Sequence, residues 1–275
     1  MMDQAEKLLD QSRPTISDQL GAESSFCKRI EQLLARIDCR RVNSEEEREA
    51  IFRLRYQAYM REGTISPNSS EMFSDPYDDS DNAYLFGLYI DDELASSIRI
   101  HVGSTEHPYF PSLEVFSDVL QPELDAGKII VDATRFVVDE KLSKRYRALP
   151  YATVRLNWLA AEYFDTDYSL AAVRPEHQAF YRRIFRLRLI CEPRPYPHLT
   201  KPICLMASDY RTVANYVHQR YPFFRSTLFE RHKLFWRLRP AGNRSNRGAS
   251  TSREPSRSRA PNHPFVELEV PRVGL

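Results

Sequence analysis

The stretch Lys128-Ile-Ile-Val-Asp-Ala-Thr-Arg-Phe-Val-Val-Asp139 decides how this chain folds. Apolar and β-branched residues stand on both sides of its centre, a pattern that predicts a central, buried β-strand. Asp132, Thr134 and Arg135 interrupt that pattern. A carboxylate and a guanidinium inside a sheet carry a large desolvation cost unless they are paired and hydrogen-bonded. The stretch therefore predicts either a buried ion pair that ties the sheet to a helix or the strand of an active site.

The spacing of the two charged residues sets a geometric condition. Side chains in a regular strand alternate between the two faces, so Asp132 shares a face with Thr134 while Arg135 points to the other side. A β-bulge near Thr134 would re-aim Arg135. From the residues alone both geometries stay open, and a straight strand would argue against a joint role for Asp132 and Arg135.

Composition limits the kind of protein. The 275 residues are enough for one large domain or two small ones, and the net charge of +1 predicts no nucleic-acid partner. No apolar run approaches the roughly 18 residues that a transmembrane helix needs, and the charged N-terminus does not resemble a signal peptide. The four cysteines form neither a CxxC pair nor a cluster with histidine, which predicts reduced thiols, no metal site and a cytoplasmic protein.

The order of apolar patterns predicts the domain organisation. Ser44 and Glu47 form a capping box that opens a helix reaching about Arg61. Downstream, a hairpin, the central strand, further helices and two short strands alternate within one unit, which predicts an α/β (α+β) sandwich. We therefore expect four regions: an N-terminal helical extension 1–43, a core 44–208, a C-terminal helical segment 209–239 and a disordered tail 240–275 rich in Arg, Ser and Pro.

Polar residues outside the central strand are further candidates for a site. Arg55 lies beside Tyr59 on the first core helix, and the segment Asp75-Pro-Tyr-Asp78 lies in the loop that follows. Arg99 faces away from the apolar side of the second hairpin strand. Each has an ordinary alternative, because a helix-surface arginine often keeps its head in water and an acidic turn is often solvated.

The chemistry of this polar set can be narrowed. The sequence has no serine elbow, P-loop, dinucleotide-binding glycine motif or HExxH motif, so covalent catalysis is not indicated. Arginine side chains bind carboxylates, and a desolvated carboxylate takes a proton from an amine. Together these groups suit the reaction of an amine with an activated acyl group.

The same residues fall in an order that resembles a known superfamily. Five short motifs carry the likeness: Leu54-Arg55 with Tyr59, Asp75-Pro-Tyr-Asp78, Tyr84-Leu-Phe-Gly87, Ser97-Ile-Arg99 and Asp132-Ala-Thr-Arg-Phe136. Over about 45–207 the chain thus resembles the FeeM-type N-acyl amino acid synthases and the acyl-homoserine-lactone (autoinducer) synthases, which are both similar to GNAT acyltransferases. The resemblance implies a GNAT-like α/β/α sandwich with a central mixed, splayed sheet, and an acyl group delivered as a thioester on an acyl carrier protein. A splayed sheet also favours the bulge near Thr134.

Seven positions match the polar set of this superfamily: Arg55, Tyr59, Asp75, Asp78, Arg99, Asp132 and Arg135. We predict the following roles from the resemblance and from the chemistry of the residues together. The catalytic positions are Asp132, as a general base acting through a water, with Thr134 and Arg135. The substrate-binding positions are Arg55, Tyr59, Asp75, Asp78, Arg99 and Phe136.

The chain departs from the lactone synthases at three places. Those enzymes usually carry Glu where this chain has Asp132 and Phe where it has Tyr59. They also carry a Trp shortly after the first helix, whereas residues 62–70 contain no aromatic residue. These differences favour an N-acyl amino acid synthase over a lactone synthase.

The connection between the central strand and the next helix bears on the acyl donor. CoA-dependent GNAT enzymes hold the CoA pyrophosphate on backbone N–H groups of a glycine-rich loop at a helix N-terminus. The segment 139–150 contains no glycine and has side-chain cations instead, which favours docking of an acidic carrier protein. The predicted docking residues are Lys141, Lys144, Arg145, Arg147, Arg182 and Arg183. The alternative is an ordinary solvated loop and helix face.

These interpretations lead to one predicted function and two alternatives. We expect an N-acyltransferase that joins a fatty acyl group to the amine of an amino acid, with acyl-ACP or acyl-CoA as a substrate and no bound cofactor. The first alternative is an acyl-homoserine-lactone synthase that uses S-adenosylmethionine. The second is an inactive GNAT fold that serves as a binding or regulatory module and whose cleft is blocked by side chains.

Overall fold

The computed structural model describes the backbone of residues 16–237 and Phe265, with side chains from residue 25 onwards. In this part of the chain the helices are α1 (Ile16–Leu34), α2 (Glu45–Arg61), α3 (Pro111–Val115), α4 (Ser117–Asp125), α5 (Glu140–Arg145), α6 (Leu149–Tyr163), α7 (Gln178–Phe185), α8 (Tyr210–Arg220) and α9 (Leu228–Phe235). The strands are β1 (Ile37–Arg41), β2 (Ala83–Ile90), β3 (Glu93–Gly103), β4 (Ile130–Val138), β5 (Tyr168–Val173), β6 (Arg188–Arg194) and β7 (Ile203–Asp209).

The strands form one mixed sheet in the order β1-β2-β3-β4-β5-β7-β6. Neighbouring strands are antiparallel except β4 and β5, which are parallel. Helix α2 packs on the face that carries Arg99 and Val137, and helix α6 packs on the opposite face, against Ile98 and Val131. Helices α1 and α9 pack against α6. The predicted α/β sandwich with a central mixed sheet is confirmed.

Helix α6 is the interior helix of the molecule. Its sequence is apolar on nearly every side, and Pro150 stands in its first turn, where a missing N–H costs little. Trp158 is fully buried and stacks on Phe185 with ring centroids 5.2 Å apart. Truncating a buried side chain of this size costs about 3–5 kcal/mol, so α6 anchors the sheet to the helices behind it.

Strand β4 is irregular in two ways. Ser97 pairs with Val137 but Arg99 pairs with Thr134, so β4 holds one extra residue between these pairs. At this bulge Arg135 has a φ of +54°, in the left-handed region. The bulge expected near Thr134 is therefore confirmed. Pairing of β4 with β5 also ends early, because the last paired residue of β4 is Ala133.

Several elements differ from the sequence-based expectation. The N-terminal extension 1–43 contributes β1, which pairs with β2 at the sheet edge. The connection between β3 and β4 contains two short helices, α3 and α4, and α5 and β6 were not expected. Edge strands such as β1 and β6 carry many charged residues, so they lack the apolar pattern that reveals central strands. The four-region division stays a prediction.

The predicted tail 240–275 lies outside the described residues except for Phe265. That side chain is buried against Tyr168, with ring centroids 4.5 Å apart.

Candidate active site

A cavity opens where β4 and β5 separate. Beyond Ala133 and Ala171 the two strands no longer pair, although both continue. The resulting gap has a volume of about 380 Å³, within the usual range of small-molecule sites. Its wall is mostly apolar and aromatic and includes Ala58, Phe136, Val173, Phe180, Tyr181 and Leu199. The gap therefore has the size and lining of a site for an apolar chain.

A buried chain of alternating charges lies beside this cavity, in the order Arg55–Asp78–Arg99–Asp75–Arg135. Arg55 Nη1 donates to both carboxylate oxygens of Asp78 at 2.9 Å. Arg99 Nη1 lies 2.9 Å from Asp78 Oδ1 and 2.5 Å from Asp75 Oδ1. Arg135 donates from Nε and Nη2 to Asp75 Oδ2 at 2.9 and 2.6 Å. The structure thus brings together five residues that the sequence analysis placed in one site.

Local structure fixes the two carboxylates of this network. Asp75 caps the short 3₁₀ helix Pro76–Asp79 by accepting from the Tyr77 N–H, and Asp78 accepts from the Asp75 N–H at 3.0 Å. Each carboxylate therefore has backbone donors as well as arginine donors. The sequence left this segment open as a solvated acidic turn, but both of its network carboxylates, Asp75 and Asp78, are buried.

The arginines of the network keep its two carboxylates ionised. Burial alone would raise the pKa of Asp75, but hydrogen bonds and charge from Arg99 and Arg135 hold it well below its usual range. Burial would likewise raise the pKa of Asp78, but the charges of Arg55 and Arg99 lower it below its usual value. Both carboxylates are therefore ionised at neutral pH. Three guanidinium groups and two carboxylates leave a formal charge of +1.

Arg135 is where this positive charge reaches the cavity. Of the five network residues it alone lines the cavity, next to Thr134 and Tyr59. Its guanidinium lies 4.8 Å from the ring centroid of Phe73, and Nη1 has no hydrogen-bond partner within the described residues. Thr134 Oγ1 accepts from Arg99 Nε at 3.3 Å and so connects the network to the bulged strand. The bulge is what turns Arg135 to this position.

Asp132 occupies a different environment. It is fully buried, does not line the cavity, and accepts from the N–H and the hydroxyl of Ser112 at 3.0 and 2.8 Å. Burial raises its pKa, and the two bonds from Ser112 oppose that rise. No ion pair joins Asp132 to Arg135 among the described residues; the buried ion pairs that connect the sheet to α2 use Asp75 and Asp78 as their carboxylates instead. The predicted role of Asp132 as a general base stays a prediction and requires an intermediary that reaches the cavity.

Other residues on the cavity wall were not expected. Tyr196 is buried and lines the cavity; burial raises the pKa of its phenol, and the charge of Asp132 adds to this rise. Arg174 Nη2 bonds His177 Nε2 at the same cavity, and burial lowers the pKa of this imidazole. No sequence pattern indicated these residues, because they come from connections and from the ends of elements that the fold brings together.

The six predicted docking cations are all exposed. Lys144, Arg145 and Arg147 line a groove of about 440 Å³ together with Phe26 and Arg29 of α1. Tyr151, at the start of α6, contacts both Phe26 of this groove and Phe180 of the cavity wall. The basic groove therefore lies beside the cavity. Arg182 and Arg183 lie on α7, the helix that carries Phe180.

The start of α6 has few free backbone donors. Pro150 has no N–H, and the N–H groups of Leu149, Tyr151 and Ala152 already donate to the carbonyl oxygens of Tyr146 and Ala148. A pyrophosphate at a helix N-terminus needs such groups unoccupied. The first four positions of α6 therefore offer no free N–H group to a CoA pyrophosphate.

The fold and site define a class of protein. A mixed sheet splayed beside a bulged strand, with an apolar cavity and an arginine at its wall, is the architecture of a GNAT-like N-acyltransferase. A solved structure of FeeM, an N-acyl amino acid synthase from uncultured soil microbes, shares this fold with a TM-score of 0.56 and 20% identity over 68% of this chain and 98% of that chain.

Sequence comparison identifies the family. The model of the N-acyl amino acid synthase FeeM matches residues 50–209, more than half of the chain. The chain therefore belongs to the FeeM family of N-acyl amino acid synthases. It is an enzyme of the N-acyltransferase class, and its reaction is the transfer of an acyl group to an amine.

Other solved structures are more distant. An acyl-CoA N-acyltransferase from Pseudomonas aeruginosa has a TM-score of 0.43 and 16% identity over 62% of this chain and 97% of that chain. The AHL synthase LasI has a TM-score of 0.42 and 17% identity over 62% of this chain and 87% of that chain. None of the curated proteins matches the sequence. No helix among the described residues has the length and apolar character needed to span a membrane.

Proposed function

We propose that this enzyme transfers a fatty acyl group from an acyl carrier protein to the amine of an amino acid whose carboxylate binds Arg135. One observation carries the proposal: a buried network with a formal charge of +1 reaches an apolar cavity through Arg135 alone. A carboxylate is the substrate group that matches an arginine with a free nitrogen.

An amino acid at neutral pH carries an ammonium group, which must lose a proton before it can attack. The bound carboxylate of the acceptor offsets the +1 charge of the network, so this proton needs an acceptor group of its own.

The donor thioester fits the gap between β4 and β5. From Thr134 onwards β4 has no β5 partner, so backbone groups on this edge are free to hold the extended arm of the donor. The apolar wall around Phe180 and Leu199 suits a fatty acyl chain. In the reaction the neutral amine nitrogen forms a bond to the thioester carbonyl carbon, the carbon–sulfur bond breaks, and the released thiolate takes up the proton that the neutral amine gives up. The earlier proton of the ammonium group leaves through its acceptor group to solvent.

Proton removal from the amine is the role proposed for Asp132. Its raised pKa makes it a better proton acceptor than an ordinary aspartate, but it has no direct access to the cavity. A water, or the phenol of Tyr196, which is buried and lines the cavity, would carry the proton between them.

Two features support a carrier protein as donor. Exposed cations of α5 line the groove beside the cavity, further exposed cations lie on α7, and such cations suit an acidic partner. The amide groups at the start of α6 are already occupied, which disfavours CoA. The open cavity at the splayed strands is unlike the blocked cleft that an inactive binding module predicts.

The acceptor experiment compares each amino acid with its decarboxylated amine. We expect wild-type enzyme to prefer the amino acid and Arg135→Gln to lose that preference, with a rise of about tenfold or more in KM for the amino acid alone. Arg53→Gln, at an exposed position on α2, is the control and should keep the preference. Equal preference in wild type and Arg135→Gln would refute the assignment of Arg135.

A further inference from the structure

Helix α9 presents a face that the acyltransferase reaction does not use. Leu228 is 69% exposed and Phe229 is 80% exposed, which are the largest values for big apolar residues in the described part of the chain. His232 and Trp236 follow Phe229 at intervals of three and seven residues and follow Leu228 at intervals of four and eight, so the four side chains lie on the same side of the helix. Trp236 is 46% exposed and stacks on His232 with centroids 5.5 Å apart. We call this surface the α9 face.

The inner side of α9 is firmly held. Leu234 and Phe235 are buried in the main core, and Arg155 of α6 pairs with Glu230 at 2.5 Å. The exposed apolar residues therefore do not result from a loose helix. They project from an element whose other side is fixed.

The segment that carries the α9 face is rich in cations. Arg225 and Lys233 are exposed, and the carboxylates of Glu230 and Glu162 are paired with Arg155 and Arg231. Immediately after the described helix the sequence of residues 238–264 contains six arginines and one glutamate, a formal charge of +5. Apolar and aromatic side chains combined with cations are the pattern of helices that lie in the interface of anionic bilayers.

We propose that the α9 face binds the surface of an anionic lipid bilayer. Leu228 and Phe229 would enter the boundary between headgroups and acyl chains, Trp236 would lie at headgroup level, and the cations would attract the lipid charge. A nucleic acid would be attracted by the same cations and could stack on Phe229 and Trp236, but it would gain nothing from the exposed aliphatic Leu228, so the lipid surface fits the whole face better. The binding does not depend on the acyl donor or acceptor of the reaction.

Co-sedimentation of the full chain with vesicles tests the proposal. We expect binding to vesicles of phosphatidylcholine with phosphatidylglycerol, much weaker binding to phosphatidylcholine alone, and weaker binding at high salt. The double substitution Leu228→Ser with Phe229→Ser should lower the bound fraction about tenfold or more. Tyr216→Ser, on α8 at a side chain that is 39% exposed, is the matched control and should bind as wild type does.

Fluorescence gives an independent readout. The chain has two tryptophans, of which Trp158 is fully buried, so a blue shift on adding anionic vesicles would come from Trp236. Both variants should keep the thermal unfolding midpoint of wild type, because the substituted residues are exposed.

Three outcomes would overturn the proposal. They are absence of wild-type binding to anionic vesicles, equal loss of binding in the Tyr216→Ser control, and binding to an oligonucleotide or to a second copy of the chain in place of vesicles.

Discussion

Asp75 is the residue on which the charged network depends most. It joins Arg99 to Arg135, and it caps the 3₁₀ helix that holds Asp78. Without it Arg135 has no carboxylate partner, and breaking a buried ion pair by removing one member costs about 3–5 kcal/mol. The network is thus a structural requirement for placing Arg135 as well as a source of charge for the cavity.

We therefore expect Asp75→Asn to lower the free energy of unfolding by about 3–5 kcal/mol in urea denaturation. The control is Asp79→Asn, four residues away, where an exposed pair with Arg48 contributes at most about 1 kcal/mol. A loss of the same small size in both variants would mean that the buried network does not stabilise the fold.

The same carboxylate makes stability depend on pH. The pKa of Asp75 is lowered on folding, so the stability that its ionised form contributes is present above about pH 4 and is lost as the pH falls through the pKa of the folded state.

Asp132 poses the open question at the residue scale. Asp132→Asn retains an oxygen that accepts from Ser112 but cannot take up a proton, so we expect turnover to fall about 100-fold. Ser112→Ala removes a hydrogen bond and keeps the carboxylate, so turnover there should stay within a few-fold of wild type. Steady-state kinetics with saturating donor distinguishes them. Unchanged turnover in Asp132→Asn would contradict its role as the general base. Asp132 would then have only the structural role of holding α3 to the sheet.

At this scale the sequence predicted much of the site. Arg55, Asp75, Asp78, Arg99 and Arg135 were expected together, and they form one network. The placement of Asp132 could not be predicted, because its partner Ser112 lies in a connection whose path only the folded chain defines.

The bulge in β4 is the decisive feature at the scale of elements. It uses no glycine, although Arg135 has a φ of +54°, a conformation that costs L-residues about 1–2 kcal/mol. The side chain that this strain positions bonds Asp75 twice, which offsets the cost. The alternation of side chains along the strand indicated that Asp132 and Arg135 could share a site only if the strand contained a bulge. The strand sequence does not show which residue adopts the left-handed conformation.

Two substitutions at Arg135 separate the backbone effect from the loss of the guanidinium. Both Arg135→Gly and Arg135→Val remove the charge, but only glycine adopts the positive φ without strain. We expect Arg135→Val to be less stable than Arg135→Gly by about 1–2 kcal/mol in chemical denaturation. Equal stability would mean that the bulge relaxes when the side chain is lost.

At the scale of the whole molecule, the basic groove and the cavity lie side by side. We expect the double reversal Lys144→Glu with Arg145→Glu to raise KM for acyl-ACP about tenfold or more, and to leave turnover of a small acyl-pantetheine thioester unchanged. Reversal of Arg211, an exposed arginine on α8, is the control and should alter neither. A similar loss with both donors would show that the groove residues act on the fold or the chemistry and not on carrier docking.

The sequence predicted the central strands and helices of the fold better than the edge strands of the sheet. The apolar strands and the interior helix α6 could be predicted from their hydrophobic patterns. The edge strands β1 and β6 can be recognised only from their pairing with β2 and β7 in the folded sheet. The cavity could be expected in outline, because the resemblance implies a splayed central sheet. Its wall could not be predicted in full, because Tyr196, Arg174 and His177 lie in connections whose path only the folded chain defines.

The most direct measurement is mass spectrometry of the products that the purified enzyme forms from acyl-ACP and a mixture of amino acids, without S-adenosylmethionine. Acyl transfer to an amino-acid amine predicts N-acyl amino acids in wild type and a marked loss of these products in Arg135→Gln. Absence of any N-acyl amino acid from active, folded enzyme, with an acyl-lactone appearing only when S-adenosylmethionine is added, would contradict the proposed acceptor.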